Sequence, residues 1–196
     1  MPATSVAALE ADSLIRDLAK PAPAALAFTE VRFSPLLRAP LIVRGELGYQ
    51  GPENFDRQVH EPWREQARIR AGSVHVQRDD GASRSFALHR APELEGLLAG
   101  FSALLAGDPA AVRQRFSMVA HEVDGRWTLE LTPRDARLRK HMERIVIEGA
   151  AGELRCLTTT QPNGSASVML LGEAAAADLP DVPSRESLRS VCAPVR

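Results

Sequence analysis

The 196-residue chain has no apolar stretch near the roughly 18 residues that a membrane-spanning helix needs, which excludes an integral helical membrane protein. It also lacks a signal-peptide core, because the run Val6-Ala7-Ala8-Leu9 is cut by Glu10 and Asp12. Either the chain is cytosolic, or it is a mature exported protein whose signal has been replaced by Met1. Charge of one sign is missing too, with 24 basic residues against 25 acidic ones and a formal net charge of −1. That balance excludes a nucleic-acid footprint and a polyacidic tail. The two cysteines, Cys156 and Cys192, allow one intrachain disulfide or two free thiols.

Motifs for chemistry are absent as well. His60-Glu61 and His121-Glu122 begin like the zinc motif HExxH, but the second histidine is replaced by Arg64 and Gly125, and Pro62 forbids the helix that motif requires. There is no glycine-rich phosphate or dinucleotide loop, and Gly100-Phe101-Ser102-Ala103-Leu104 is not a nucleophile elbow. His60, His75, His89, His121 and His141 are scattered, and strand histidines of this kind are solvated or hydrogen-bonded residues rather than bases. The expectation is a protein without metal, cofactor or catalytic residues.

What is present is an ordinary globular composition, 44% apolar and 25% charged, in a length suited to one domain. Residues 5–19 read as a helix with Val6, Leu9, Leu14, Ile15 and Leu18 on one side, stopped by Pro21 and Pro23. Two-residue alternation follows from Phe28 to about residue 89, broken by turns at Pro62, Gly72 and Asp79-Asp80-Gly81. A second helix starts at Pro92 and carries Leu94, Leu97, Leu98, Phe101, Leu104 and Leu105 in one stripe. A short third helix begins at Asp108-Pro109. Alternation then resumes from Phe116 to Leu171 through hairpin turns at Asp124-Gly125, at 149–152 and at Asn163-Gly164. The resulting fold class is α+β, an antiparallel meander of about ten or eleven strands with helices in two places. Residues 1–172 are read as one domain and 173–196 as a Pro- and Ala-rich, loosely attached tail.

The order of these elements resembles the periplasmic outer-membrane lipoprotein carriers, the LolA family, in a divergent branch. The carriers open with a helix, then Phe-x-(Gln/Glu)-x-Phe, then Pro-x-x-Phe with a second proline ten residues on. Here these are Phe28-Thr29-Glu30-Val31-Arg32-Phe33, Pro52-Glu53-Asn54-Phe55 and Pro62. Asp124-Gly125-Arg126-Trp127-Thr128-Leu129-Glu130-Leu131-Thr132-Pro133-Arg134 is similar to the family's D-x-(W/F)-x-L-x-L-(T/P)-P-(R/K) strand and turn, and Pro162-Asn163-Gly164 follows in the expected place. Two positions depart: Gly51 stands where the carriers have an arginine tied to handing cargo onward, and Arg57 stands where they have an aromatic. These departures point to an acylated cargo other than the standard lipoprotein.

The resemblance implies a curved, half-open antiparallel barrel whose concave face is covered by helices around an acyl-chain cavity. It also implies a periplasmic address with the signal removed, a lipoprotein or other lipid-linked cargo, an inner-membrane exporter and an outer-membrane acceptor. Phase within each segment places Phe33, Leu47, Tyr49, Phe55, Leu97, Leu98, Phe101, Leu105, Met118, Trp127 and Leu129 towards that cavity. Gly96 and Gly100 fit either a movable lid helix or its close packing on the sheet. An oxidising compartment would pair Cys156 with Cys192, closing a loop worth about 4 kcal/mol. The alternatives are a small cavity-based hydrolase or isomerase, marked by a convergent His/Asp/Ser set, and a non-carrier periplasmic assembly factor, marked by a cavity filled with its own side chains.

Overall fold

The computed structural model describes residues 6–8 and 10–192. Among the described residues twelve antiparallel strands form one open sheet in the order β1-β8-β9-β10-β11-β12-β2-β3-β4-β5-β6-β7. β2 to β7 run as a meander: Ala24–Phe33, Leu41–Tyr49, Phe55–Glu61, Glu65–Arg70, Ser73–Arg78 and Ser83–Ala87. β8 to β12 form a second meander: Phe116–Val123, Arg126–Pro133, Arg144–Ala150, Glu153–Thr160 and Ala166–Leu171. β12 returns to pair with β2, with Val168 opposite Val31, so the two meanders become one sheet. The free edges are β1, Val6–Ala8, and β7.

β7 and β8 lie at opposite ends of this order, so their connection must cross the sheet. That connection contains α2, Pro92–Leu105, and α3, Pro109–Arg115. The crossing explains why an apolar helix comes to lie over the face: its stripe has the sheet beneath it and water above. Asp108 caps α3 by accepting from the Ala111 N–H at 3.0 Å, and Pro109 occupies a first-turn position where no N–H is needed. α1, Ala11–Asp17, buries Leu14 and Ile15 on the same side and is tied to α3 by the Arg113–Asp12 ion pair.

Two expectations need correction. Residues 5–19 are not one helix, because Val6–Ala8 form strand β1 paired with Val123, Glu122 and His121, and α1 begins only at Ala11. This pairing adds the twelfth strand, and a partner more than a hundred residues away overrides the local helical pattern. Residues 173–196 are also not a loose tail over their described part. A 3-10 turn at Gly172–Ala176 and α5, Arg185–Cys192, cover the face opposite α2. Cys156 and Cys192 form a disulfide with their Cα atoms 5.6 Å apart.

Turn chemistry sets the register. Asp124 and Gly125 both have positive φ, 52° and 74°, as the tight β8–β9 hairpin requires. At Gly149 the β10–β11 register slips, and any Cβ there would lie 2.2 Å from the Trp127 ring, so only glycine lets the indole sit down on the strand.

Candidate functional site

The face under α2 carries two apolar clusters. The larger is built on β8 to β12 with α1, α3 and α4, Ala136–Arg139, around Phe28, Leu129, Leu131, Ile145, Ile147 and Leu157. The smaller is Ile69, Val74 and Val76 on β5 and β6. α2 bridges them, with Leu97 and Phe101 packed on the larger and Leu94 and Leu98 on the smaller. Only Leu104 of its stripe is fully buried, at 2% exposure, while Leu94, Leu97, Leu98, Phe101 and Leu105 remain half-buried. The helix therefore rests on the sheet without closing over its own apolar side. Gly96 and Gly100 mark where it comes closest, since added Cβ atoms would meet Leu138 at 2.5 Å and Phe116 at 3.1 Å. Those contacts favour close packing as the reason for both glycines.

Most of the residues expected to line this space lie on its side of the sheet. Leu47, Leu97, Phe101 and Met118 flank the larger cluster half-buried, whereas Trp127 and Leu129 are inside it, 5% and 0% exposed. Phe55 and Leu98 flank the smaller one, and Tyr49 stacks beside Phe55 with ring centroids 5.4 Å apart. Leu105 is half-buried near the end of the helix and belongs to neither cluster. Phe33 is a correction: it packs on the opposite face with Val31, Val168 and Leu188, under the Arg185 guanidinium. Phe28 and Phe33 are five positions apart, an odd number, so the two-residue period of a strand sends them to opposite faces.

The phase that turns Phe28 under the helix also turns Glu30 and Arg32 there, and these had not been expected. Glu30 accepts from Arg32 Nη2 at 2.7 Å and from Arg57 Nη2 at 3.0 Å. Arg57 continues to Glu65 at 3.8 Å, and Glu65 accepts from Arg78 Nε at 2.7 Å. A run of five charges on β2, β4, β5 and β6 thus crosses the otherwise apolar face. The Arg57 guanidinium also lies 4.8 Å above the Phe28 ring. Burial pushes the Glu30 carboxyl up, but the hydrogen bond and charge of Arg32, with the charge and hydrogen bond of Arg57, more than offset this and hold it below its ordinary range. Arg57 is driven the other way, below its ordinary value, first by burial and then by the neighbouring Arg32, against the pull of Glu30 and Glu65. A signal was available in sequence: Glu30 and Arg32 share the phase of Phe28 on β2, so an inward Phe28 brings both charges with it.

The run opens at one end into a polar groove of about 890 Å³ at the ends of β4 to β6, whose lining includes Gln58, Glu65, Gln77 and Arg78. Among the described residues no three His, Cys, Asp or Glu side chains gather as a metal site, and the groups that converge are arginine and glutamate rather than histidine, aspartate and serine. Such an arrangement can hold charge and cover apolar surface.

Similar solved structures include a LolA superfamily protein from Nitrosomonas europaea, 14% identical over 89% of this chain and 96% of that one, TM-score 0.43. A DUF1329 family protein from Desulfovibrio piger is 9% identical over 83% and 88%, TM-score 0.44. LprF from Mycobacterium bovis is 13% identical over 91% and 99%, TM-score 0.37. No curated protein matches the chain. No helix among the described residues is long and apolar enough to cross a membrane. A family model described as outer membrane lipoprotein carrier protein LolA-like matches residues 3–195, nearly the whole length. The chain belongs to that LolA-like family of carrier and binding proteins.

Proposed function

We propose that this protein is a periplasmic carrier that shelters the acyl chains of a lipid-linked molecule between α2 and the sheet and passes them towards the outer membrane without a chemical step. The observation that carries this reading is the half-covered stripe: five large apolar residues of α2 face apolar strand residues without completing their burial. Each methylene withdrawn from water there contributes about 0.8 kcal/mol, so a chain that buries ten of them gains about 8 kcal/mol before the cost of ordering it. The Cys156–Cys192 disulfide suits an oxidising compartment. In this reading residues 1–172 are the working unit and the segment from 173 is its outer clasp. An inner-membrane exporter would load the face and an outer-membrane acceptor would empty it.

The test is a double substitution, Leu98→Gln with Phe101→Gln, titrated with a tail-labelled fluorescent fatty acid and its methyl ester. Loss of uptake of both probes, with an unchanged far-UV spectrum, is expected. Unaltered affinity in the folded double variant would overturn the proposal.

A further inference from the structure

The charged run is unusual for a face of this kind. Replacing a buried ion pair with well-packed apolar residues of similar size is commonly neutral or stabilising, so stability alone gives little reason to keep one here. The run is also unbalanced: Arg32, Arg57 and Arg78 bring three positive charges against the two negative charges of Glu30 and Glu65. Its donors are largely unspent. Among the described residues, Arg32 and Arg57 each use only Nη2 in a hydrogen bond, although a guanidinium presents five N–H groups in a fork suited to a planar or tetrahedral oxyanion. Both side chains keep partial exposure, 39% for Arg32 and 22% for Arg57, while Glu30 between them is sealed at 9%. The excess cationic surface therefore stays open on the helix-covered side of the sheet, and the carboxylate anchors it from below. Apolar clusters lie on either side, around Phe28 and Val43 and around Ile69 and Val74.

From this juxtaposition we infer that the ligand is an anionic amphiphile, an acyl chain ending in a carboxylate or phosphate oxyanion, whose head is received by Arg32 and Arg57 while its chain lies along the flanking apolar residues. The inference rests on the acyl-binding reading above and adds its polar end. A neutral head at the same place would offer only uncharged carbonyl or hydroxyl acceptors and leave the excess charge unmet, which disfavours ligands whose head carries no charge. Burial and the like charge of Arg32 press on Arg57, and the negative charge of a bound oxyanion offsets them.

The experiment titrates the intact protein with three probes: pyrene-dodecanoic acid, its methyl ester, and a pyrene-labelled monoacylglycerol phosphate. Tighter binding than the ester by about ten-fold or more is expected for the carboxylate, the phosphate or both, since a charge-assisted hydrogen bond is worth about 1.5–3 kcal/mol. Which of the two leads identifies the head group. Arg32→Gln is expected to shrink that advantage to about three-fold or less with little change for the ester, and Arg57→Gln to do the same. Raising the salt concentration should erode the advantage in the wild type. Should Arg57→Gln fail to fold, Arg32→Gln decides alone, because its partly exposed side chain is dispensable for packing. Equal binding of acid, phosphate and ester, or an advantage untouched by Arg32→Gln, would overturn the inference while leaving the carrier reading intact. Failure of all three probes to bind would overturn both.

Discussion

On the outward face α5 and the 172–176 turn cover Val31, Cys156, Val168 and Leu170, none more than 4% exposed, and a disulfide holds the cover in place. Further ties run from Thr29 Oγ1, which donates to the Ala175 carbonyl at 2.8 Å, and from Arg155 Nε, which donates to the Cys192 carbonyl at 3.3 Å. On the other face α2 rests on the same sheet through leucines that stay half-exposed, and charges cross the strands beneath it. One sheet is thus tightly covered and cross-linked on one side and only half-covered by α2 on the other. The larger buried core lies on the helix-covered face, but the cross-link and the tight cover lie on the other, so only the helix-covered face keeps partly exposed apolar surface and cationic groups.

The largest expected effect tests the seal. Replacing Cys156 and Cys192 together with serine removes a cross-link between residues 36 apart in sequence and should cost about 4 kcal/mol in chemical denaturation. Fatty-acid affinity of the folded variant should stay unchanged, and a parallel loss of binding would erase the division of labour between the faces.

Within the helix-covered face, Leu129→Ala should cost about 3 kcal/mol, because that side chain is fully buried and leaves a cavity. Leu98→Ala, at a half-buried site, should cost about 1 kcal/mol. Equal costs in thermal melts would mean that α2 is as firmly seated as the core.

Each face also holds one perturbed glutamate, and the two move in opposite senses. Glu30 has a folded-state value below its ordinary 4.5, so its stabilisation is complete above about pH 4.5 and is lost as pH falls through the lower folded value. Glu30→Gln should cost about 1–2 kcal/mol at neutral pH, discounted for the exposure of Arg32, and should flatten the acid arm of a stability profile measured between pH 7 and 3. An unchanged acid arm would show that the two arginines do not hold that carboxylate.

Glu148, on the outward-turned phase of β10, lies above its ordinary value because burial outweighs the attraction of Arg189, Arg126 and His121. Stability should therefore rise as pH falls through that raised value towards 4.5, and Glu148→Gln should be slightly stabilising at neutral pH in the same denaturation assay. Destabilisation by this substitution would mean that Arg189 on α5 depends on the charge of Glu148, and the seal would then be partly ionic.

Local pattern determined most of the elements. The stripe from Leu94 to Leu105 has the period of a helix and nothing else, the alternation after Phe28 has the period of a strand, and Asp124-Gly125 demands a tight hairpin, because side-chain direction and turn geometry are set within a few residues. What depends on partners far along the chain was decided only by the tertiary structure. Val6–Ala8 became a strand because β8 offered it an edge, and the order of the strands forced α2 across the sheet. An inward Phe33 implies an outward Glu30 and Arg32, and the structure turns both to the side of Phe28; that Arg57, Glu65 and Arg78 join them needs the register of β2 through β6. The candidate site is in this sense a product of strand pairing: most of its apolar members were legible from periodicity, with Phe28 in place of Phe33 on β2, and its charged members came together only when the strands were laid side by side.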